Sequence, residues 1–436
     1  MKRQYYRPRF SFSKTLRSLF ILLLLLAGTS STAQAKLQET QNLAAGGPDD
    51  EYYELGQWAL NDSSIAKLNV PAAWNITTGI PIVVAVIDTG LDVDHPDFKN
   101  LDGSSKNTGT GHNFINDDNN IQDEDGHGTA VSGIIGAVTN NKQGIAGMSW
   151  GALIMPIKVA FADRSIKDCQ PKNEEMIFKA IKWAIANQAR VINMSFICRT
   201  TAAGYIQWQA AIDEAYNNGI VLVAGAGNDN QDLDQWPPSV PAGLNHVIAV
   251  GATDRYDHRC GLASCQYQSG YGSKLDVMAP GSPDTYTTDL VGWNGSNQSP
   301  SPTGDYVFSF GGTSAATPFV AGLTALMLSV HPTMSPDSVE FVIQHTADDL
   351  GNPGKDNTFG YGRINAYKAV RRAATCFQGA WPGDANEDCK VDGIDYVIWL
   401  NNYEKPNPSG PATGDFNNDG VVDGVDYVIW LNNYGK

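Results

Sequence analysis

Short apolar runs alternate with amphipathic segments over most of the chain, from about Tyr52 to Ala374. Runs rich in β-branched residues predict buried strands, and apolar residues spaced three and four apart predict helices. The predicted strands are Ile82–Asp88, Leu153–Val159, Val191–Ser195, Ile220–Ala224 and Val247–Ala252. The predicted helices are His127–Val138, Asn173–Gln188, Tyr205–Asn218 and Ser314–Leu328. This alternation favours an α/β fold, with a mostly parallel sheet covered by helices on both faces.

The end of the chain has a different pattern, an internal duplication. The segment DYVIWLNNY occurs at Asp395–Tyr403 and again at Asp426–Tyr434. Aligning Gly383–Tyr403 with Gly414–Tyr434 gives 16 identities in 21 positions. A turn-rich linker joins the copies, and each copy places a polar loop before an apolar helix. The pattern predicts a small all-α domain over residues 376–436, with loop–helix repeats at 384–403 and 415–434.

The first 35 residues are typical of a secretory signal peptide. Basic residues precede an apolar run from Leu19 to Ala27, and Ala33-Gln34-Ala35 forms a cleavage site. The run is about half of the ~20 residues that a membrane span needs, so we expect no span after signal removal. A retained anchor is the alternative. Residues 36–49 form a short leader, too short to fold independently, and folding is expected to proceed without a pro-domain.

Charge and cysteine content fit an exported protein. The formal net charge is −16, and signal cleavage would remove six basic residues. So acidic a surface argues against nucleic acid or anionic lipid as a partner and suits calcium. Six cysteines in an exported chain predict disulfides, for which fifteen pairings are open. Proximity along the chain favours Cys260–Cys265, and then Cys169–Cys198 and Cys376–Cys389.

Four short segments carry candidate chemistry. Asp88 ends a predicted strand in VIDTG, His127 lies in GHGT, Asn228 closes VAGAGN, and Ser314 lies in GGTSAATP before a helix. Each residue has a structural interpretation when taken alone: Ser314 can cap its helix, and the others can form turns. Together, in this order, the segments resemble the signatures of the subtilisin-like serine protease (peptidase S8) family. The resemblance runs from about Asp50 to Ala374 and implies a peptidase domain at 50–374.

The resemblance implies a secreted serine endopeptidase. Ser314 would be the nucleophile, His127 the general base, Asp88 its orienting carboxylate and Asn228 the oxyanion donor. Substrate contacts are implied at Ser195, Phe196, Ala224 and Gly225. Ile197 departs from the family, which has a glycine there. The rival hypothesis is a catalytically silent scaffold that keeps the protease fold. The long segment 281–311 is predicted either to border the cleft or to form a solvated surface loop.

Two twelve-residue segments in the tail, Asp384–Asp395 and Asp415–Asp426, fit the calcium-loop pattern. With the helices that follow, they resemble the dockerin family, which implies bound Ca²⁺ and a cohesin-like partner. The implied ligands are Asp384, Asn386, Asp388, Lys390, Asp392 and Asp395, and Asp415, Asn417, Asp419, Val421, Asp423 and Asp426. A polar tail without metal is the alternative. Tyr396, Val397, Trp399, Leu400 and their copies are predicted to face each other or the partner.

The subtilisin resemblance also implies a structural calcium site in the peptidase domain. Its ligands would come from an N-terminal acid, an acid after the first signature and the loop after the His127 helix. The implied ligands are Asp50, Asp97, Val138, Asn141, Gln143 and Ile145.

Overall fold

The computed structural model describes residues 47–100, 104–106, 109–160, 171–375, 382–385, 391–405, 410–417 and 419–435. The predicted signal peptide and most of the leader lie outside the described residues, as do Asn386, Asp388 and Lys390 of the first calcium loop. The chain divides into two units, Met1–Gly47 and Pro48–Lys436, and the following description concerns the second. The domain limits at 35, 49 and 376 stay predictions.

A seven-stranded parallel sheet forms the centre of the peptidase region. The strands of the chain are β1 (Val83–Asp88), β2 (His112–Asn113), β3 (Leu153–Lys158), β4 (Val191–Met194), β5 (Cys198–Arg199), β6 (Val221–Gly225), β7 (Ser239–Val240), β8 (Val247–Thr253), β9 (Val277–Pro280), β10 (Thr285–Thr288) and β11 (Tyr306–Phe310). The sheet has the order β2-β3-β1-β4-β6-β8-β9. Two antiparallel pairs, β10–β11 and β5–β7, lie outside it. The predicted α/β class with a parallel sheet is confirmed.

The helices are α1 (Tyr53–Gly56), α2 (Val70–Trp74), α3 (His127–Gly136), α4 (Pro171–Ala186), α5 (Ala202–Asn217), α6 (Leu262–Cys265), α7 (Thr313–Val330), α8 (Pro336–His345), α9 (Ala366–Thr375), α10 (Gly393–Asn402) and α11 (Gly424–Asn433). Helices α4 and α5 share a core with alternate residues of the sheet, such as Ala85, Ile87 and Ile192. Because side chains alternate across a strand, the other face of the sheet is left for α3 and α7, which both contact it.

All five predicted strands and four predicted helices are present, with ends shifted by at most three residues. Strand β9, the β10–β11 hairpin and helices α8 and α9 were not predicted. Among the described residues, α7 is the one helix long and apolar enough to cross a membrane. It is 83% buried within the protein, so it is a core helix.

The disulfide between Cys260 and Cys265 is present, as predicted. Cys198 is also disulfide-bonded. Cys169, Cys376 and Cys389 lie outside the described part of the chain, so the pairings Cys169–Cys198 and Cys376–Cys389 stay predictions.

The tail has its own small core. Helices α10 and α11 pack together through the aromatic residues Tyr396, Trp399, Tyr427 and Trp430. The indole of Trp399 donates to the carbonyl of Asp423 at 3.0 Å, and that of Trp430 donates to the carbonyl of Asp392 at 2.9 Å. Each repeat therefore anchors an aromatic side chain on the loop of the other repeat.

Candidate active site and calcium loops

A cavity of about 440 Å³ opens at the carboxyl end of the central strands. Parallel α/β sheets bind ligands at this edge, because strand ends and helix starts meet there. The side chains that line the cavity include those of Asp88, His127, Asn228 and Ser314. The fold therefore brings together four residues that lie far apart in the sequence.

Asp88 and His127 are joined by a short hydrogen bond. The Oδ1 atom of Asp88 lies 2.7 Å from Nδ1 of His127, and the two side chains are only 4% and 13% exposed. Asp88 ends β1, and its Oδ1 also accepts the N–H of Thr89 at 2.8 Å. A carboxylate on Nδ1 favours the tautomer that carries the proton there, so Nε2 remains free of a proton and can act as a base.

Glycines let the first turn of α3 lie against the end of β1. A Cβ on Gly128 would come within 2.3 Å of the carbonyl oxygen of Gly90, so a larger residue would displace α3. The N–H of Gly128 donates to Oγ1 of Thr89 at 2.8 Å. Gly126 has φ 94°, which favours glycine. These contacts fix His127, the first residue of α3, beside Asp88.

The sequence analysis missed Asp123, which shapes the same turn. This buried carboxylate accepts the N–H groups of Asp125 and Gly126 through one oxygen and the N–H and hydroxyl of Thr129 through the other. An acidic residue shortly before a helix, followed by glycine, was the available signal. Asp123 thereby satisfies N–H groups at the start of α3 and holds the loop that carries His127.

Ser314 lies in the first turn of α7, but it does not cap that helix. The helix begins one residue earlier, at Thr313, with no side-chain cap at Gly312. The Ser314 hydroxyl donates to the carbonyl oxygen of Ser195 at 3.0 Å, and the Ser195 hydroxyl donates to the carbonyl oxygen of Ser314 at 3.2 Å. The alternative interpretation of Ser314 as a helix cap is therefore wrong, because its hydroxyl bonds the Ser195 carbonyl just after β4.

Asn228 is oriented by the start of the same helix. Its Oδ1 accepts the N–H of Thr313 at 2.9 Å and the hydroxyl of Thr313 at 3.3 Å. With Oδ1 engaged, Nδ2 is the end of the amide that can donate to a group in the cavity. The Asn228 side chain is therefore arranged to stabilise negative charge near Ser314.

The four implied substrate-contact residues divide into two pairs. Ser195 and Phe196 line the cavity, whereas Ala224 and Gly225 are not among its lining residues. Ala224 and Gly225 are buried in β6, between β4 and β8. A Cβ on Gly225 would come within 2.9 Å of Oγ1 of Thr313, so this glycine allows α7 to approach β6.

The long segment 281–311 borders the cavity, which decides between the two predicted alternatives. It contains the β10–β11 hairpin, and its residues Asp289, Ser296, Val307, Ser309 and Phe310 line the cavity. The Phe310 ring contacts the His127 ring edge-on, with centroids 5.5 Å apart. The hydroxyls of Thr287 and Thr288 donate to carbonyls of α3, so the hairpin is tied to the helix that begins at His127.

Part of the implied calcium site in the peptidase region is assembled around Asp50 and Asp97. Asn141 joins them: its N–H lies 3.4 Å from Asp50 Oδ1, and its Nδ2 donates to Asp97 Oδ1 at 2.8 Å. Asp97 also accepts the N–H of Ile145 at 3.0 Å. The Gln143 side chain is exposed. Val138 donates its N–H to the carbonyl of Asp97 at 2.7 Å.

The chemistry of this donor set fits a divalent cation. Burial raises the pKa of Asp97 to about 7 and that of Asp50 to about 6; the charge of Asp50 further raises the pKa of Asp97, and the charge of Asp49 further raises that of Asp50. Among the described residues, no Lys or Arg forms a salt bridge with either carboxylate. Two buried carboxylates without a positive partner are unfavourable unless a cation compensates them, and carboxylate, amide and carbonyl oxygens are calcium ligands.

In the tail, the second calcium loop is the better described. Asp415 and Asp426 are 1% and 0% exposed, and no salt bridge to either is found in the described part of the chain. Asp415 accepts the N–H groups of Asp419 and Gly420, and Asp426 accepts those of Phe416 and Asp423. Burial raises the pKa of Asp415, and the charges of Asp426 and Asp419 raise it further.

The loop therefore buries the carboxylates at the first and twelfth positions of the calcium-loop pattern. Gly420 has φ 84°, as the sharp turn requires. The described residues contain no ready-made cluster of three or more metal-ligating His, Cys, Asp or Glu side chains. In the first loop, Asp395 accepts the N–H groups of Ala385 and Asp392, which repeats the pattern of Asp426.

The predicted interface residues of the tail fall into two groups, one packed in the tail core and one exposed to solvent. Tyr396 and Trp399 pack into the tail core, while Val397 and Leu400 are about half exposed. Their copies behave alike: Tyr427 and Trp430 point inward, and Val428 and Leu431 outward. Packing of the repeats against each other is thus confirmed for the aromatic residues, and contact of the exposed aliphatic residues with a partner stays a prediction.

Two protein-family models match the chain. Residues 79–362 match the subtilase family (peptidase S8), and residues 382–434 match the dockerin type I domain. Thermitase of Thermoactinomyces vulgaris is 33% identical over 324 residues, which cover 74% of this chain and 99% of thermitase. Subtilisin E of Bacillus subtilis (strain 168) is 36% identical over 309 residues, covering 70% of each chain.

Solved structures agree with this similarity. A lanthipeptide protease superposes with a TM-score of 0.59 at 27% sequence identity, covering 75% of this chain and 96% of that one. A protease of Pseudoalteromonas arctica superposes with a TM-score of 0.58 at 29% identity, covering 75% of this chain and 99% of that one.

Proposed function

This chain belongs to the subtilase family and ends in a dockerin type I domain, and from that premise we propose that Asp88, His127, Asn228 and Ser314 form its catalytic site. Membership makes the chain a serine-type endopeptidase of the subtilisin kind. The proposal assigns that chemistry to these four residues.

One observation carries the assignment. The carboxylate of Asp88 bonds Nδ1 of His127 at 2.7 Å, within a cavity that Ser314 and Asn228 also line. An orienting carboxylate, a base, a nucleophile and an oxyanion donor are the parts that acyl transfer by serine requires. A structural role for each residue separately would not require a common cavity.

The reaction follows from these positions. His127 Nε2 takes the proton of the Ser314 hydroxyl as Oγ attacks the carbonyl carbon of the scissile bond. Asn228 Nδ2 donates to the oxyanion, and the carboxylate of Asp88 stabilises the imidazolium. His127 then returns the proton to the leaving amine, and the acyl group stays on Ser314. A water molecule, deprotonated by His127, attacks this ester; the bond between Ser314 Oγ and the acyl carbon breaks, His127 returns the proton to Oγ, and the carboxylic acid product leaves.

A fluorophosphonate probe tests the assignment on the full-length secreted protein. We expect covalent labelling of the wild type, none of Ser314→Ala and normal labelling of Ser338→Ala, a matched change on the distant helix α8. Circular dichroism establishes that each variant is folded. Folded wild-type protein that remains unlabelled would instead support the scaffold hypothesis.

Calcium is proposed at the two tail loops and at the Asp50–Asp97 site. In the tail, the ligands would be the oxygen-bearing residues of 384–395 and 415–426. In the peptidase region, Asp50, Asp97 and Asn141 would hold the ion, together with main-chain carbonyls of the 138–145 loop and the exposed Gln143. Bound calcium supplies positive charge that compensates the buried carboxylates, and so it stabilises the fold without entering the reaction.

Export and attachment complete the proposed function. The chain is cleaved after Ala35, acts outside the cell and binds a cohesin-like module through the aliphatic residues that α10 and α11 expose. N-terminal sequencing of the exported protein tests the cleavage site. Purified cohesin modules test attachment: binding in calcium, its loss in EGTA and its loss in Val397→Asp would agree with the proposal. Binding that none of these conditions alters would contradict it.

A further inference from the structure

The segment after β4 forms one wall of the active-site cavity. Its residues Ser195, Phe196 and Ile197 line the cavity, and the carbonyl of Ser195 accepts the Ser314 hydroxyl. The next residue, Cys198, is fully buried, disulfide-bonded and paired with Val240 in the β5–β7 ladder. Ile197 is thus held between two anchored neighbours.

The Ile197 side chain reaches the end of β6. A Cβ added to Gly227 would come within 2.8 Å of Cδ1 of Ile197, so the tip of the isoleucine packs directly on the Gly227 backbone. Gly227 precedes Asn228 and donates its N–H to Oγ1 of Thr313 at 3.2 Å. The isoleucine therefore spans the space between the end of β4 and the backbone that carries the oxyanion donor.

This contact lies at the border of the cavity. Ile197 and Asn228 line the cavity, whereas Gly227 is not among its lining residues. A glycine at position 197 would lack the contact with Gly227. Isoleucine instead adds four side-chain carbons, of which Cδ1 lies against Gly227.

The position of the reacting carbonyl shows which part of the substrate meets Ile197. The carbonyl carbon must approach Ser314 Oγ with its oxygen toward Asn228 Nδ2, while the leaving nitrogen faces His127. From this orientation we infer that the side chain of the residue that supplies this carbonyl lies beside Asn228. Ile197 lines the same part of the cavity, because its tip packs on Gly227, the neighbour of Asn228.

We propose that Ile197 is a specificity-determining residue that restricts cleavage to peptide bonds following a small residue, such as glycine, alanine or serine. This inference rests on the proposed catalytic site. A β-branched side chain has one strongly preferred χ1 rotamer, so it does not readily swing aside. The Gln231 side chain supports the same closure: its Oε1 accepts the N–H of Asp229 at 2.9 Å and packs on Gly227.

Peptides that differ only in the residue before the scissile bond test this inference. For full-length protein in calcium, we expect kcat/KM for an alanine peptide to exceed that for a phenylalanine peptide by about 10–100-fold, the range that a small apolar pocket achieves. Ile197→Ala should raise kcat/KM for the phenylalanine peptide by about 10-fold or more and change that for alanine by less than about threefold. Ile197→Val should give a smaller change in the same direction.

Ile206→Ala, at an exposed isoleucine on α5, is the matched control and should leave the ratio unaltered. Equal cleavage of both peptides by the wild type, or an unaltered ratio in folded Ile197→Ala or Ile197→Val, would overturn the specificity role. If the catalytic assignment itself were wrong, the results would differ: no peptide would be cleaved, and the fluorophosphonate would leave the wild type unlabelled.

Discussion

Ser195 and Ser314 exchange hydrogen bonds, each hydroxyl donating to the main-chain carbonyl of the other, at 3.2 and 3.0 Å. Asn193 supports the pair by donating from Nδ2 to the Ser195 hydroxyl at 2.9 Å. The Ser314 hydroxyl proton is therefore directed at the Ser195 carbonyl, in the wall of the cavity. Transfer of the proton to His127 requires the Ser314 hydroxyl to break its hydrogen bond with the Ser195 carbonyl.

Ser195→Ala should lower the rate of acyl transfer while keeping the nucleophile. The change removes one hydrogen bond to the Ser314 backbone, worth about 1 kcal/mol, and leaves Asn193 without its acceptor. We expect kcat to fall about 3–10-fold, since 1.36 kcal/mol corresponds to tenfold in rate. Steady-state kinetics on one peptide measures the effect, with Ser338→Ala as control. An unchanged kcat would show that the pair does not position Ser314.

Asn228→Ala should affect kcat far more than KM. The amide donates to charge that develops only in the transition state, so its loss leaves ground-state binding nearly unaltered. The expected fall in kcat is about 10²–10³-fold, a magnitude known for the corresponding donor of subtilisin. Asn218→Ala, at the surface end of α5, is the control. A rise in KM without loss of kcat would argue against the oxyanion role.

Removal of calcium should lower the thermal stability of two separate regions, the peptidase region and the tail. Ligand at 100 times its Kd stabilises a folded state by about 2.7 kcal/mol, and that contribution disappears in EGTA. Asp97→Asn should weaken the calcium dependence of the peptidase transition, and Asp426→Asn that of the tail. Differential scanning calorimetry with and without EGTA measures both. Asp349→Asn, on an exposed loop, should behave as wild type, and melting curves that EGTA does not shift would contradict both sites.

Glu340→Gln should stabilise the protein at alkaline pH. Burial raises the pKa of Glu340 to about 7, and the charges of Asp276 and Asp337 raise it further, while Gln344 and Lys355 lower it. An unfolded glutamate titrates near 4.3, as is typical. The folded state thus holds a proton that the unfolded state has lost, so stability falls as pH rises from about 4.3 to 7.

Above pH 7 the buried Glu340 side chain is charged in the folded state, which lowers the free energy of unfolding. Glutamine carries no charge and so removes this loss of stability. We expect Glu340→Gln to raise the free energy of unfolding by about 1–2 kcal/mol at pH 8 and to leave it unchanged at pH 4. The value at pH 8 is smaller than the pKa change alone would give, because the side chain is partly exposed. Urea unfolding at both pH values, with calcium held constant, measures the gain. Glu175→Gln, at an exposed i,i+4 pair with Lys179, is the control. An equal effect at both pH values would contradict the titration.

Periodicity predicted five strands of the sheet, and the resemblance to the subtilisin signatures identified the four residues of the proposed catalytic site, but neither predicted the walls of the cavity. Asp88 and His127 each lie at the boundary of a strongly patterned strand or helix, so their positions follow from periodicity. The β10–β11 hairpin has no such signature, because its strands TYTT and YVFSF flank a polar segment of seventeen residues. Its pairing depends on contacts of Thr287 and Thr288 with α3, far away in the sequence.

Ile197 shows the same limit at a single residue. The sequence shows that a bulky side chain replaces glycine, yet only the packed structure shows that it covers Gly227. The alternative interpretation of Ser314 as a helix cap failed for a related reason. Both a helix cap and a side chain directed toward β4 are compatible with the sequence, and the contact with Ser195 decides between them.

The reciprocal bonds between Trp399 and Asp423 and between Trp430 and Asp392 make the two tail repeats mutually dependent. Each indole is anchored on the ninth position of the opposite calcium loop, so an ion that orders one loop also fixes the aromatic side chain that supports the other. We therefore expect binding of the two proposed ions to be thermodynamically coupled, with the second ion binding more tightly than the first. We also expect a chain truncated after residue 405 to lose the anchor of its first loop, and its remaining repeat to be unstable.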